Sequence, residues 1–238
     1  MKTNLLSALI TVAATIVLGA VAQAAGPTQP LVPVDKVFAP KGFDTNDDTQ
    51  VIVSGYLPNL CYKAPRAEVS VSGQTVTITM RALLDDKMAF CPMMVVPYLE
   101  PVSLGVLDRG VYNVVVNQGS AWQQATSITV VESTSSAVDN FVYANMSHVE
   151  VIEGTRKVIL KGFNPSDCFE FDRVDYVSNL VDTYSVLPVM RQIRATCPLK
   201  MVPFAIEADV PRLVAGDQVL LHVRSMNGKS VNTLFDNR

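Results

Sequence analysis

Thr75-Val76-Thr77-Ile78-Thr79-Met80 alternates without a break. Val76, Ile78 and Met80 fall on one side and the three threonines on the other. That is the two-residue period of a half-buried strand, not the 3.6-residue period of a helix. Side chains branched at Cβ suit a pleated surface. Further short runs of the same character lie on either side: Val51-Ile52-Val53, Val158-Ile159-Leu160, and residues 111–116, 128–131, 181–187 and 219–223. Gly, Pro, Asn and Asp separate them as turn residues, and the 14 prolines disfavour long helices. Residues 82–89 read as a loop rather than a helical turn.

Outward from these strands, the chain repeats itself. Gly55-Tyr56-Leu57-Pro58-Asn59-Leu60-Cys61 matches Gly162-Phe163-Asn164-Pro165-Ser166-Asp167-Cys168 in its Gly, aromatic, Pro and Cys. Cys91-Pro92-Met93-Met94-Val95-Val96-Pro97-Tyr98 matches Cys197-Pro198-Leu199-Lys200-Met201-Val202-Pro203-Phe204, with Cys-Pro and Val-Pro-aromatic at identical places within the segment. Gly110 and Gly216 extend the register, and Val34-Asp35-Lys36-Val37-Phe38 pairs loosely with Val138-Asp139-Asn140-Phe141-Val142. The period is that of a whole domain, not of a solenoid repeat. Two tandem domains follow, residues 31–132 and 137–238, joined by the polar linker Ser133-Thr134-Ser135-Ser136. The linker is short enough to keep the domains in touch. Short strands with frequent turns predict an all-β chain of two tandem immunoglobulin-like β-sandwich domains, with small Greek-key barrels as the alternative.

The repeat also selects a disulfide pattern. Four cysteines allow three pairings, and only Cys61–Cys91 with Cys168–Cys197 repeats in both units. Closing a loop of about 30 residues stabilises by about 3–4 kcal/mol on a chain-entropy estimate. The sole tryptophan, Trp122, does not lie between the cysteines, so the bridge is not the inter-sheet bridge of antibody domains. No two cysteines are spaced as a C-x-x-C hook for metal binding or thiol exchange.

Disulfides belong to an oxidising compartment, and the N-terminus agrees. Lys2 precedes an apolar core at residues 5–18, and Ala22-Gln23-Ala24 supplies a small-x-small cleavage pattern. Residues 1–24 read as a cleavable secretory signal, placing the protein in the periplasm or outside the cell, with no membrane span after cleavage. In the whole chain 19 Lys and Arg stand against 22 Asp and Glu. Removing Lys2 with the leader increases the acidic excess by one. There is no basic footprint for nucleic acid.

Motifs that carry chemistry are sparse in the chain. His148 and His222 are the only histidines, neither in a metal hook, and His222 falls opposite Val116 in an ungapped match. No G-x-S-x-G elbow is present. Asp44-Thr45-Asn46-Asp47-Asp48 begins like a calcium loop, but Thr49 stands where that loop needs Gly and Gly55 where it needs Glu. It reads instead as an acidic turn into the strand at residues 51–53. No cofactor, metal site or catalytic residue is expected. Two stretches differ between the copies: Tyr62, Lys63 and Arg66 in the first, and an acidic patch with Phe169, Glu170 and Asp172 in the second. As loops that vary on a shared scaffold, they are the candidate binding positions.

In size and layout the chain resembles periplasmic pilus chaperones, without a shared motif and with a cysteine plan that departs from theirs. The expectation is a non-catalytic exported binding or structural protein, with a protein or glycan partner in the cell envelope. An assembly factor or chaperone acting by strand addition is the alternative, and a hydrolase a third reading.

Overall fold

The computed structural model describes residues 28–85 and 87–238. The export signal read at residues 1–24 lies outside the described residues. The first half of the chain forms β1 (Val34–Phe38), β2 (Phe43–Asp44), β3 (Thr49–Leu57), β4 (Tyr62–Ser72), β5 (Thr75–Leu84), β6 (Val96–Gly105), β7 (Gly110–Val116) and β8 (Gln124–Val131). The second forms β9 (Val142–Tyr143), β10 (Met146–Ile152), β11 (Lys157–Asn164), β12 (Phe169–Ser178), β13 (Thr183–Gln192), β14 (Val202–Asp209), β15 (Gln218–Arg224) and β16 (Ser230–Asp236). No α-helix occurs among the described residues; a single 3-10 turn covers Met226–Gly228.

Each half is a sandwich of one five-stranded and one three-stranded sheet. In the first, β2-β8-β7-β5-β4 faces β1-β3-β6; in the second, β12-β13-β15-β16, with β9 beside β13, faces β10-β11-β14. Val76, Ile78 and Met80 are fully buried between the first pair of sheets, against Val51, Val53 and Val102. Residues 82–84, read as part of a loop, continue β5 instead. The sheets are not purely antiparallel, as those of immunoglobulin domains are. β5 runs parallel to β7, and β13 parallel to β15.

The repeated glycine and aromatic have one structural cause. Gly55 faces Tyr98 across β3 and β6, and Gly162 faces Phe204 across β11 and β14. A Cβ on Gly55 would meet Pro33 O at 2.2 Å and the Tyr98 hydroxyl at 2.5 Å; on Gly162 it would meet Asn145 O at 2.1 Å and the Phe204 ring at 2.7 Å. The aromatic ring thus covers bare backbone where β1 and β10 bulge, between Val34 and Lys36 and between Met146 and His148. The Tyr98 hydroxyl donates to Pro33 O at 2.7 Å, and burial pushes its pKa up.

Strand pairing corrects the front of the repeat. β1 corresponds to β10, since Val34 pairs with Gly55 as Met146 pairs with Gly162; residues 138–142 are not its counterpart. The first unit has a long connection at residues 39–48, where the second has a tight turn between β10 and β11. Pairing also shifts His222 by one place. Thr75 faces Asn113 and Thr183 faces Leu220, so His222 corresponds to Val115, not Val116. A one-residue slip exchanges the faces of a strand, and His222 points away from its own sandwich core.

It points at the other unit. The three-stranded sheet of the first sandwich packs face to face on the five-stranded sheet of the second: Phe38, Ile52 and Leu99 meet Leu220 and Leu234. Four sheets therefore stack, and the two inner ones are covered on both faces. This explains the unbroken burial of β13 from Thr183 to Met190. The long connection lies over the same face. Asn179 Nδ2 donates to Ala39 O, Ser185 Oγ to Lys41 O, and Arg224 to Gly42 O. Phe43 sits against His222 at 5.9 Å between ring centroids.

The acidic cluster forms the end of this junction. Asp47 is buried and pairs with Arg224 at 2.8 Å, and the Arg224 guanidinium lies 4.9 Å from the Phe43 ring centre. Burial pushes the Asp47 carboxyl up, with Arg224 pulling it back. Asp44 accepts from Asn140, and Asn46 donates to Ser135 O and Ala137 O, so the same turn pins the linker. At the far side Lys36 pairs with Asp182 at 2.8 Å. Burial opposes the charge on Asp182, but hydrogen bonds from Asn179, Lys36 and Thr183 hold its carboxyl below the usual range.

Arg224 occupies the repeat position of Asn117. In the first unit Met80 N donates to Asn117 Oδ1 at 2.8 Å, and Asn117 Nδ2 donates to Val32 O at 2.9 Å. In the second unit Pro188 stands where Met80 stands in the first, at the point where β13 exchanges its neighbour β15 for β9. Proline has no N–H to satisfy. The Asn is not needed there, and its position is free to carry an arginine across to Asp47.

Candidate functional site

Each unit carries one disulfide, Cys61–Cys91 with Cα atoms 5.5 Å apart and Cys168–Cys197 with Cα atoms 5.7 Å apart. In each, the cysteine in the turn that carries the chain from the three-stranded to the five-stranded sheet is fully buried, and the other lies in the long loop before β6 or β14. Backbone bonds repeat the staple: Asp85 N donates to Cys61 O, and Ile193 N to Cys168 O. Leu60 N also donates to Pro92 O, and Lys200 N to Pro165 O.

These braced loops expose large apolar side chains. Met93 is 82% exposed and its counterpart Leu199 95%; Val95 is 59% exposed and its counterpart Met201 73%. Phe90, Met94 and Ile193 are also exposed. Exposed apolar groups gathered on one fixed surface mark an interaction site more than scattered ones do. The two loops lie at opposite ends of the stack. Gln50 bonds Gly228 O and Ser230, beyond the C-terminal end of β15, whereas Lys36, nearer the disulfide end of its unit, reaches Asp182 at the start of β13. The strands of the two units therefore run so that the disulfide ends point apart.

The residues singled out in the sequence fall beside these loops but are not on loops. Tyr62, Lys63 and Arg66 belong to β4, and Phe169, Glu170 and Asp172 to β12. Both are edge strands, exposed on much of both faces, so neither shows the alternation that marks a half-buried strand. The acidic patch is also not an isolated charge. Asp167 lies near Arg194 and Lys200, Glu170 near Arg191, and Asp172 and Asp175 near Arg173. Three of those four cations sit beyond residue 190, on the far side of the β12–β13 hairpin. Lys63 in the first unit pairs with Asp85 at 3.5 Å.

His222 is fully buried, with Nδ1 2.8 Å from Asn232 Oδ1, and burial lowers its pKa to about 4. His148 is exposed on β10. A pocket of about 600 Å³ lies at the base of the second unit, among Glu153, Arg156, Arg212, Phe235, Asp236 and Arg238. Arg156 there is occupied by Val210 O, Pro211 O and Asn237, and Asp236 by Arg238. No group of three His, Cys, Asp or Glu placed to hold a metal ion occurs among the described residues, and no helix there is long and apolar enough to cross a membrane.

Residues 51–130 match the ORF11 beta-sandwich domain family. The match spans β3 to β8, including the first disulfide and its apolar loop, and ends before the second unit. No curated protein and no solved structure matches the chain.

Proposed function

We propose that the chain is an exported, non-catalytic binding protein, acting in the periplasm or outside the cell, and that its contact surfaces are the two disulfide-braced loops at residues 88–95 and 193–201. The observation that carries this reading is the exposure of apolar side chains at matching repeat positions, Met93 with Leu199 and Val95 with Met201. A staple that fixes the backbone beneath them lowers the ordering cost of binding. The export signal read at residues 1–24 and the two disulfides support an oxidising compartment. The partner is a protein with an apolar surface, since Met, Leu, Val and Phe offer dispersion contacts and few hydrogen bonds to a glycan.

Photo-crosslinking from a probe amino acid at position 93 or 199, in cells exporting the chain, tests this directly. The same probe at position 79, on the outer threonine face of β5, serves as control. The reading predicts discrete protein adducts at the loop positions, lost on Phe90→Asp or Met201→Asp respectively. Equal labelling at all three positions, or none at either loop, overturns it.

A further inference from the structure

β4 and β12 are equivalent edge strands, and they are guarded differently. β12 carries Glu170, Asp172, Arg173 and Asp175 along its length and bulges between Phe171 and Arg173. Charges and bulges discourage pairing with another chain. β4 bulges only near its start, between Lys63 and Arg66, where Ala64 takes φ +48° and Pro65 follows. From residue 66 to residue 72 it is regular, with no proline and no lysine, and no strand pairs with its outer edge among the described residues. Val69 faces Ile78 and Val71 faces Val76 across the hairpin, so both lie on the core side of the sheet. The opposing three-stranded sheet does not reach over them, and they remain 38% and 43% exposed.

We propose that this edge pairs antiparallel with the same edge of a second copy of the chain, about a twofold axis at Val69. The regular segment at residues 66–72 is centred on that residue. The register sets Val69 against itself and Val71 against Ala67 of the second copy, continuing the apolar stripe across the junction. On the other face it sets Glu68 against Ser70 and Arg66 against Ser72, so no like charges stand directly opposite. The strands pair by self-complementarity, as an isologous contact requires. The two five-stranded sheets become one sheet of ten.

Sedimentation of the oxidised mature chain, from micromolar to millimolar concentration, reads the equilibrium. The wild-type chain forms a dimer that Val69→Lys, placing like charges face to face at the axis, weakens by at least about tenfold. Ser70→Lys, at an exposed position, sets a cation against Glu68 twice and tightens the dimer about threefold. A chain that stays monomeric throughout overturns the proposal. So does a dimer indifferent to Val69→Lys while the variant keeps its unfolding midpoint, or one that Ser70→Lys weakens.

Discussion

Phe38, Ile52 and Leu99 on the first sandwich hold the repeat positions that Glu150, Ile159 and Ala205 hold on the second. Leu220 and Leu234 on the second hold those of Asn113 and Ser127 on the first. The first member of each pairing faces the neighbouring sandwich; the second faces outward. On the outer three-stranded sheet Lys161 pairs with Glu150 and Lys157 with Glu207, where the inner one presents a phenyl ring and two branched aliphatics. The duplicated module has thus diverged by face. Two faces are apolar and meet. The counterpart faces are more polar and exposed, much as capping repeats of a solenoid present a polar outer face. The long connection at residues 39–48 belongs to the same divergence, since only the unit that lends its three-stranded sheet to the junction has it.

Exchanging residues between the two kinds of face shows how far this difference governs stability. The largest effect is expected from Phe38→Glu, which imports the outer-face residue into the junction. A carboxylate buried there would lie beside Lys36, which is already paired with Asp182, and unfolding in urea should show a loss of more than about 4 kcal/mol. Leu220→Asn removes a fully buried side chain and adds an amide without partners; the same measurement should give about 3 kcal/mol.

His222 gives the comparison a pH dependence, because its outward counterpart Val115 does not titrate. Its folded pKa, about 4, lies below the ordinary value near 6.5. The unfolded chain therefore takes up a proton first, and the stability owed to neutral His222 is full above about pH 6.5 and is lost as pH falls toward 4. Between pH 7.5 and pH 5 that loss is about 2 kcal/mol. Asp47 and Asp139, pushed up by burial, contribute with the opposite sign, so His222→Gln measured at both pH values isolates the histidine. The smallest effect on folding is expected from Asn113→Leu with Ser127→Leu on the exposed face: under about 0.5 kcal/mol. The same pair should raise concentration-dependent association, read by light scattering, by giving an outer sheet an inner surface.

How much of this was legible in the sequence depended on whether the signal was local. Thr75 to Met80 declared a strand because one face meets the core and the other meets water. The recurring Gly, aromatic and Cys declared a duplicated sandwich because a ring over a glycine and a staple are built from residues near one another in the repeat. β4 and β12 escaped because an edge strand whose two faces are covered to similar extents lacks alternation: β4 is exposed along most of its length, and the second half of β12 is half-buried on both faces. Residues 219–223 were readable as a strand, but nothing local named the cover on its second face, which comes from Phe38 and Ile52 far earlier in the chain. Asp47 looked like part of a turn for the same reason, since its partner Arg224 lies in the other unit. His222 falls opposite Val116 at the offset shared by Cys91 with Cys197 and Gly110 with Gly216, whereas the second unit has one residue more between Gly216 and the paired part of β15. The exposed loops had no local mark, since nothing in the apolar composition of Met93, Met94 and Val95 distinguishes a side chain held outward from one in a core.

The junction itself is tested most directly by a double-mutant cycle across Asp47 and Arg224, using Asp47→Asn and Arg224→Met, with unfolding followed in urea and both disulfides intact. If the two sandwiches are joined through their inner sheets, each single substitution destabilises the chain and the pair shows a coupling of about 1.5 kcal/mol or more. Additive effects, with coupling indistinguishable from zero, would contradict a buried contact between the units and with it the four-sheet stack.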